Sequence, residues 1–156
     1  MTLPGPPLDH AAIATRIPHR GSMCLLDRVE TWDASRIRCV ATGHRNADNP
    51  LRRDGRLASV CGIEYAAQAM AVHGTLCADR AGAPAPRMGL LTSTRGVEWT
   101  VPWLDDIAGD LVVEAERISG DGNAVLYGFT LGDGTRTLLR GRAAVILDAE
   151  AIAGRG

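Results

Sequence analysis

Glu64 sits in the run SVCGIEYAAQAMAVHGTLCADR, residues 59–80, where almost every neighbour is small or apolar. A carboxylate in such surroundings is costly unless it is paired or put to work. Gln68 follows one helical turn later and Cys61 precedes by about one turn, so a polar notch runs down one side of the segment. A carboxylate in a notch of this kind is a candidate general acid or base. The plainer use is a side chain reaching water at a groove or an interface.

A partner for Glu64 is sought among four histidines. His73 lies nine residues on, which at 100° per residue is the opposite face of the same helix, so a structural role is expected. His10 is close to the N-terminus, and His19 stands in IPHR just ahead of the first expected strand. His44 falls in the long polar segment that precedes the helix and is the histidine best placed to approach the notch. The same segment carries Arg52, Arg53 and Arg56, three guanidinium groups beside a helix start, which suit an anion or form a solvated basic patch.

Other chemistries find little support. Cys24, Cys39, Cys61 and Cys77 form no C-x-x-C pair and read as free thiols. His73 and Cys77 are four apart, but nothing nearby completes a tetrahedral set, so no metal is expected. All 17 basic residues are Arg, which excludes Schiff-base, pyridoxal and P-loop lysine chemistry. The glycine-rich stretches SGDG and GDGT suit hairpin turns better than phosphate loops.

These residues need elements to position them. Asp9 can cap a short helix from His10 to Thr15, with Pro18 ending it. Residues 23–32 and 36–42 read as two strands joined by the Asp-Ala-Ser turn. Residues 43–57 are a loop long enough to carry function. Residues 59–80 form a helix apolar almost all round over its first turns, so it must be buried. Residues 88–101, 110–118, 123–131 and 136–147 read as strands. The pattern predicts an α+β domain with an antiparallel β-sheet around one long helix.

The chain has 156 residues, 46% hydrophobic and 22% charged, which suits a single globular domain over 1–156, with 1–8 a loose or draped segment. A net charge of −1 supplies no field for nucleic acid. No apolar run reaches the roughly 20 residues that cross a bilayer, and MTLPGPPLDH lacks the regions of a signal peptide, so a cytoplasmic location is expected.

Two motifs carry a family resemblance. IPHRGSMCLLDRV resembles the N-terminal signature of 3-hydroxyacyl-[acyl-carrier-protein] dehydratases, and SVCGIEYAAQAMA resembles their central-helix motif at a similar spacing. The longer stretch NPLRRDGRLASVCGIEYAAQAMAVHG looks most like the aryl-polyene and polyketide-pathway branch, and the resemblance spans about residues 12–147. It implies a hotdog fold, at least a dimer, and dehydration of a 3-hydroxyacyl chain on the phosphopantetheine arm of an acyl carrier protein. No cofactor is implied.

Carried over by motif, Glu64 is the acid and Gln68 its helix neighbour, and backbone donors for the thioester carbonyl fall near Ser59 and Val60. The family's catalytic His stands fourteen residues before the acid, where this chain has Pro50 with Asn49 beside it. His44 is then the expected catalytic substitute, and Asn49 is expected to orient substrate or water. Arg52, Arg53 and Arg56 are expected to contact the carrier protein or the phosphate of its arm. Three readings follow: an active dehydratase, a non-catalytic subunit paired with an active hotdog paralogue, and a hotdog thioesterase.

Overall fold

The computed structural model describes residues 4–19, 21–84, 90–121 and 123–146. Its order of elements is β1 (Leu8–Asp9), α1 (His10–Ala14), β2 (Arg28–Trp32), β3 (Arg36–Ala41), α2 (Gly62–Arg80), β4 (Leu90–Trp99), β5 (Leu111–Asp121), β6 (Ala124–Gly132) and β7 (Thr137–Ile146). The strands form one antiparallel sheet in the order β1-β2-β3-β5-β6-β7-β4. The sheet is curled around α2, which is the hotdog arrangement.

Alternation in the strands produces the core. Leu111, Val113 and Ala115 of β5 turn toward the helix, as do Val125, Tyr127, Phe129 and Leu131 of β6. They meet Tyr65, Ala66, Ala69, Met70, Val72 and Leu76 of α2 in one continuous cluster. The small residues Gly62, Ala66 and Ala69 let α2 lie close. A Cβ on Gly62 would stand 2.6 Å from Leu139 Cδ2 and 2.9 Å from Leu131 Cδ2. The first turn of α2 therefore rests directly on β6 and β7.

Several expectations change. The strand expected from Met23 begins only at Arg28, because Gly21–Met23 is a 3₁₀ turn and the chain up to Asp27 is irregular. Regular α-helix starts at Gly62, after a 3₁₀ turn over Ser59–Cys61. Within the expected loose segment 1–8, residues 1–3 lie outside the described residues, and the rest is fastened. Gly5 N–H donates to Trp32 O at 2.7 Å, Trp32 Nε1–H donates to Pro6 O at 3.1 Å, and Leu8 pairs with Val29. The expected starts at 88–89 and end at 147 of two strands also lie outside the described residues.

Strand β4 is unlike the others. It is an edge strand, hydrogen-bonded only to β7, and neither of its faces is buried. Trp99 stands opposite the buried Leu139, hence on the core-facing side, yet it is 52% exposed. The core reaches β4 only at Leu91 and Val97, which are partly buried against it. Among the described residues no helix is long and apolar enough to cross a membrane.

Candidate active site

Glu64 occupies the first turn of α2, and the chain around that turn is tied down from outside the helix. Leu104 N–H donates to Leu57 O at 2.8 Å, Ser59 N–H donates to Pro102 O at 3.0 Å, and Ser59 Oγ donates to Val101 O. These contacts fix where the notch points.

The imidazole against Glu64 is His19. Its Nε2 lies 2.9 Å from Glu64 Oε1, with the two side chains 28% and 35% exposed, so the pair is reachable from solvent. The other ring nitrogen, Nδ1, is buried and has no hydrogen-bond partner among the described residues. His19 reaches this place because the segment after α1 folds down onto α2, burying Ile17, Cys24, Leu25 and Leu26. Asp9 Oδ1 caps α1 by accepting from Ala12 N–H, and His10 Nδ1 lies 2.9 Å from Leu26 O.

Gln68 is the clamp that holds this segment. It is fully buried, and its Oε1 accepts from Leu25 N–H at 2.9 Å. Its Nε2 donates to Met23 O at 2.7 Å and to Glu64 Oε1 at 3.2 Å. One amide thus satisfies a buried and a part-buried backbone group and contacts the carboxylate. Gln68, expected to contact substrate, is engaged in these three bonds.

His44, the expected partner, is elsewhere. It is fully buried, its Nε2–H donates to Ile107 O at 2.9 Å, and burial holds its pKa below the ordinary value. Its loop does not fold back toward the notch; it is anchored to the segment before β5, where Arg45 also donates to Ala108 O. Asn49 is likewise hydrogen-bonded within the fold. Its Nδ2 donates to Gly43 O at 3.0 Å and to the Tyr65 hydroxyl at 3.1 Å, and its Oδ1 accepts from Leu51 N–H at 2.9 Å.

The backbone donors divide. The Ser59 N–H is spent on Pro102. Val60 is exposed at the helix start, and its N–H meets no backbone acceptor among the described residues.

The three arginines do not act as one patch. Arg56 Nε donates to Asp105 and its Nη2 to Asp106, both at 2.9 Å, and its guanidinium lies 4.6 Å over the Trp103 ring. Arg52 donates to Gly55 O and His44 O and lies 3.8 Å from Asp105. Arg53 is exposed and has no ion pair among the described residues. The turn that presents it is a two-residue hairpin, Arg53 and Arg56 exchanging backbone bonds around Asp54 and Gly55, both at positive φ.

His73 is hydrogen-bonded inside the core, and the four cysteines are free thiols. His73 Nδ1 lies 2.7 Å from the Tyr127 hydroxyl and its Nε2 lies 2.8 Å from Asp33 O. Burial lowers its pKa and pushes the Cys39 thiol up to about 12. Among the described residues no group of three or more His, Cys, Asp or Glu is arranged to hold a metal ion.

The structure thus brings Glu64 and Gln68 together as expected and sets His19, not the expected His44, against them. The available signal was the Pro-His-Arg motif itself, which supplied a family signature without being read for a side-chain role.

The comparisons agree with this architecture. The chain is similar over 92% of its length, and 95% of the other, to the dehydratase heterocomplex ApeI:P from Xenorhabdus doucetiae, with TM-score 0.81 and 21% identity. It is also similar to a mutant thioesterase from Pseudomonas aeruginosa, with TM-score 0.55, 15% identity and coverage of 76% of this chain and 78% of that one. The PaaI protein of E. coli, from the phenylacetic acid degradation operon, matches with TM-score 0.58, 10% identity and 88% of each chain covered. At these identities the likeness shows the fold. No curated protein matches the sequence. The model of the ApeP-like family, described as ApeP dehydratase, matches residues 11–153, and the chain belongs to that family.

Proposed function

We propose that this chain is a dehydratase subunit acting on 3-hydroxyacyl thioesters carried by an acyl carrier protein, in biosynthesis of the fatty acid, aryl-polyene or polyketide type. The observation that carries the reading is the Glu64–His19 pair at 2.9 Å in a reachable notch at the start of a buried helix. Loss of water from a 3-hydroxyacyl thioester needs a proton removed from Cα and one delivered to the departing hydroxyl, which is work for a positioned acid–base group. The thioester carbonyl is polarised by the Val60 N–H at the helix start. The exposed Arg53 is the cation available to the acidic carrier protein or the phosphate of its arm.

A second reading has one specific support. The structure matched with TM-score 0.81 is a heterocomplex, and this chain has Pro50 where the dehydratase pattern places histidine. In that reading a hotdog paralogue joins this chain as a heterodimer and brings the missing imidazole to Glu64.

The test is to incubate the purified chain with a 3-hydroxyacyl carrier protein, alone and with a hotdog paralogue, and follow the acyl group by mass spectrometry. Loss of one water by the chain alone supports the first reading. Loss only with the paralogue supports the second. Release of free acid without dehydration identifies a thioesterase and overturns both.

A further inference from the structure

The outer face of the sheet, turned away from α2 and Glu64, carries a second cluster of polar groups. One row of register partners crosses five strands: Arg36 of β3, Glu116 of β5, Gly128 of β6, Arg142 of β7 and Arg95 of β4. Their chain neighbours Ile37, Ala115 and Phe129 are buried, so alternation turns this row outward. The next outward row holds Arg38, Glu114, Thr130, Arg140 and Glu98. Both rows line one groove of about 900 Å³, within the size range of small-molecule sites.

The acids of the groove are taken. Glu116 pairs with Arg36 at 3.1 Å, Glu114 with Arg38 at 2.9 Å and Glu98 with Arg140 at 2.8 Å. Asp33 accepts from the N–H groups of Ser35 and Arg36 in its own turn. The guanidinium groups of Arg95 and Arg142 have no ion pair or hydrogen bond among the described residues, and neither has the Thr130 hydroxyl. Arg95 and Arg142 stand directly opposite each other across β4 and β7, where like charges repel. A bulge puts them there. The pairing passes from Arg95 to Glu98 with Gly96 at φ 60°, so Arg95 and Glu98 share the outer face while Val97 packs partly against the core. Beside Arg142 the row has no side chain at Gly128, and Ile118, 51% exposed, lies next to that position.

We infer that Arg95 and Arg142 bind the dianionic head of an organic phosphate monoester, whose apolar body lies against Ile118. A phosphate matches two guanidinium charges with nearly two of its own and offers three oxygens to the two arginines and Thr130. A carboxylate brings a single charge and leaves one arginine facing the other unmatched. The site lies on the opposite face of the sheet from Glu64 and stands independently of the dehydratase reading.

The test titrates phenyl phosphate into the purified chain at low ionic strength by isothermal titration calorimetry, with benzoate beside it. Phenyl phosphate is expected to saturate a single site with a Kd of about 1 mM or below, and benzoate to bind about tenfold or more weakly. Replacing both arginines, Arg95→Ser with Arg142→Ser, should weaken phenyl phosphate by about tenfold or more. Gly128→Thr keeps both guanidinium groups and fills the space beside them, and it should weaken phenyl phosphate to a similar degree. A Cβ at Gly128 stands 3.3 Å from Ile118 Cδ1, the far end of a side chain, so the fold accommodates the change. Arg53→Ser, on the other side of the molecule's polar surface, should leave binding as in the parent. Circular dichroism checks that each variant is folded. Saturation absent in the parent up to about 10 mM would leave the two arginines as charges that guard an edge strand and overturn the inference. Benzoate binding as tightly as phenyl phosphate would overturn it too. So would unchanged binding in the double variant or in Gly128→Thr, or a loss in Arg53→Ser instead, because the phosphate would then sit elsewhere.

Discussion

Gln68 and Leu25 are joined across forty-three residues of chain by a 2.9 Å bond from the Leu25 N–H to the Gln68 Oε1. That contact, with the 2.7 Å bond to Met23 O, decides which histidine meets Glu64. It presses the segment between α1 and β2 onto the side of α2 that bears the carboxylate, and His19 arrives with it.

Replacing Gln68 by Leu strands the buried Leu25 N–H, the part-buried Met23 C=O and one side of the Glu64 carboxylate. Each such loss costs about 1–3 kcal/mol, so a destabilisation of about 3 kcal/mol or more is expected. Urea unfolding of Gln68→Leu against the parent measures it. A midpoint unchanged within error contradicts the clamp.

Asn49 is expected to behave as a structural residue. Its amide closes the loop after β3 onto Tyr65. Asn49→Ala should lower stability by about 2 kcal/mol while leaving the turnover of the folded fraction within about twofold. A large fall in turnover with stability intact would return Asn49 to the substrate.

His44 and His73 set an acid limit. Burial lowers the pKa of both in the folded protein below the ordinary value near 6.5. Between the folded and unfolded values the unfolded chain binds more protons, so stability falls as pH drops. Their contribution is complete above the unfolded pKa and is lost as pH falls from about 6.5 through the folded values, by at most about 1.4 kcal/mol per pH unit for each group. Denaturant midpoints between pH 7.5 and 5.5 should decline, and His73→Phe should flatten part of the decline. A flat profile in the parent contradicts this.

The exposed strand β4 is where a partner subunit is expected. Leu90 and Trp99 are 51% and 52% exposed on an edge strand of which only Leu91 and Val97 pack partly against the core. Trp99→Glu should weaken association, homomeric or with a hotdog paralogue, by about tenfold or more, while the far-ultraviolet spectrum stays native. Sedimentation velocity reads the outcome, and unchanged association places the interface elsewhere.

Of the three arginines, Arg53 is the one free to meet a carrier protein, since Asp105 and Asp106 hold Arg56 and Arg52 is folded into its own turn. Arg53→Glu should weaken carrier binding and reduce its salt dependence, whereas Arg56→Glu should mainly cost stability by removing its pairs with the aspartates. Titrations at two ionic strengths separate the two effects.

How much was legible follows from the range of each interaction. The long helix and the hairpin at 132–135 are local features, and period and turn chemistry reveal them. Glu64 and Gln68 stand out for the same reason, as polar residues on an apolar helix. The partner of Glu64 is a tertiary fact. His44 is nearer in sequence, but His19 is brought in by hydrogen bonds from Gln68 to backbone groups that no side-chain pattern marks. The pairing of Arg56 was equally illegible, because its counter-ions come from about fifty residues downstream. The Asp54-Gly55 turn was readable in principle and lay hidden inside a stretch treated as one loop.

The central claim is that Glu64 is the acid–base residue of a dehydratase site, and the most direct measurement is the rate of water loss from a 3-hydroxyacyl carrier protein by Glu64→Gln beside the parent. Gln keeps the size of the side chain and an oxygen facing His19, but it takes up no proton. The account predicts a fall of about a hundredfold or more with the fold and carrier binding retained. Water loss at the parental rate in Glu64→Gln would contradict it.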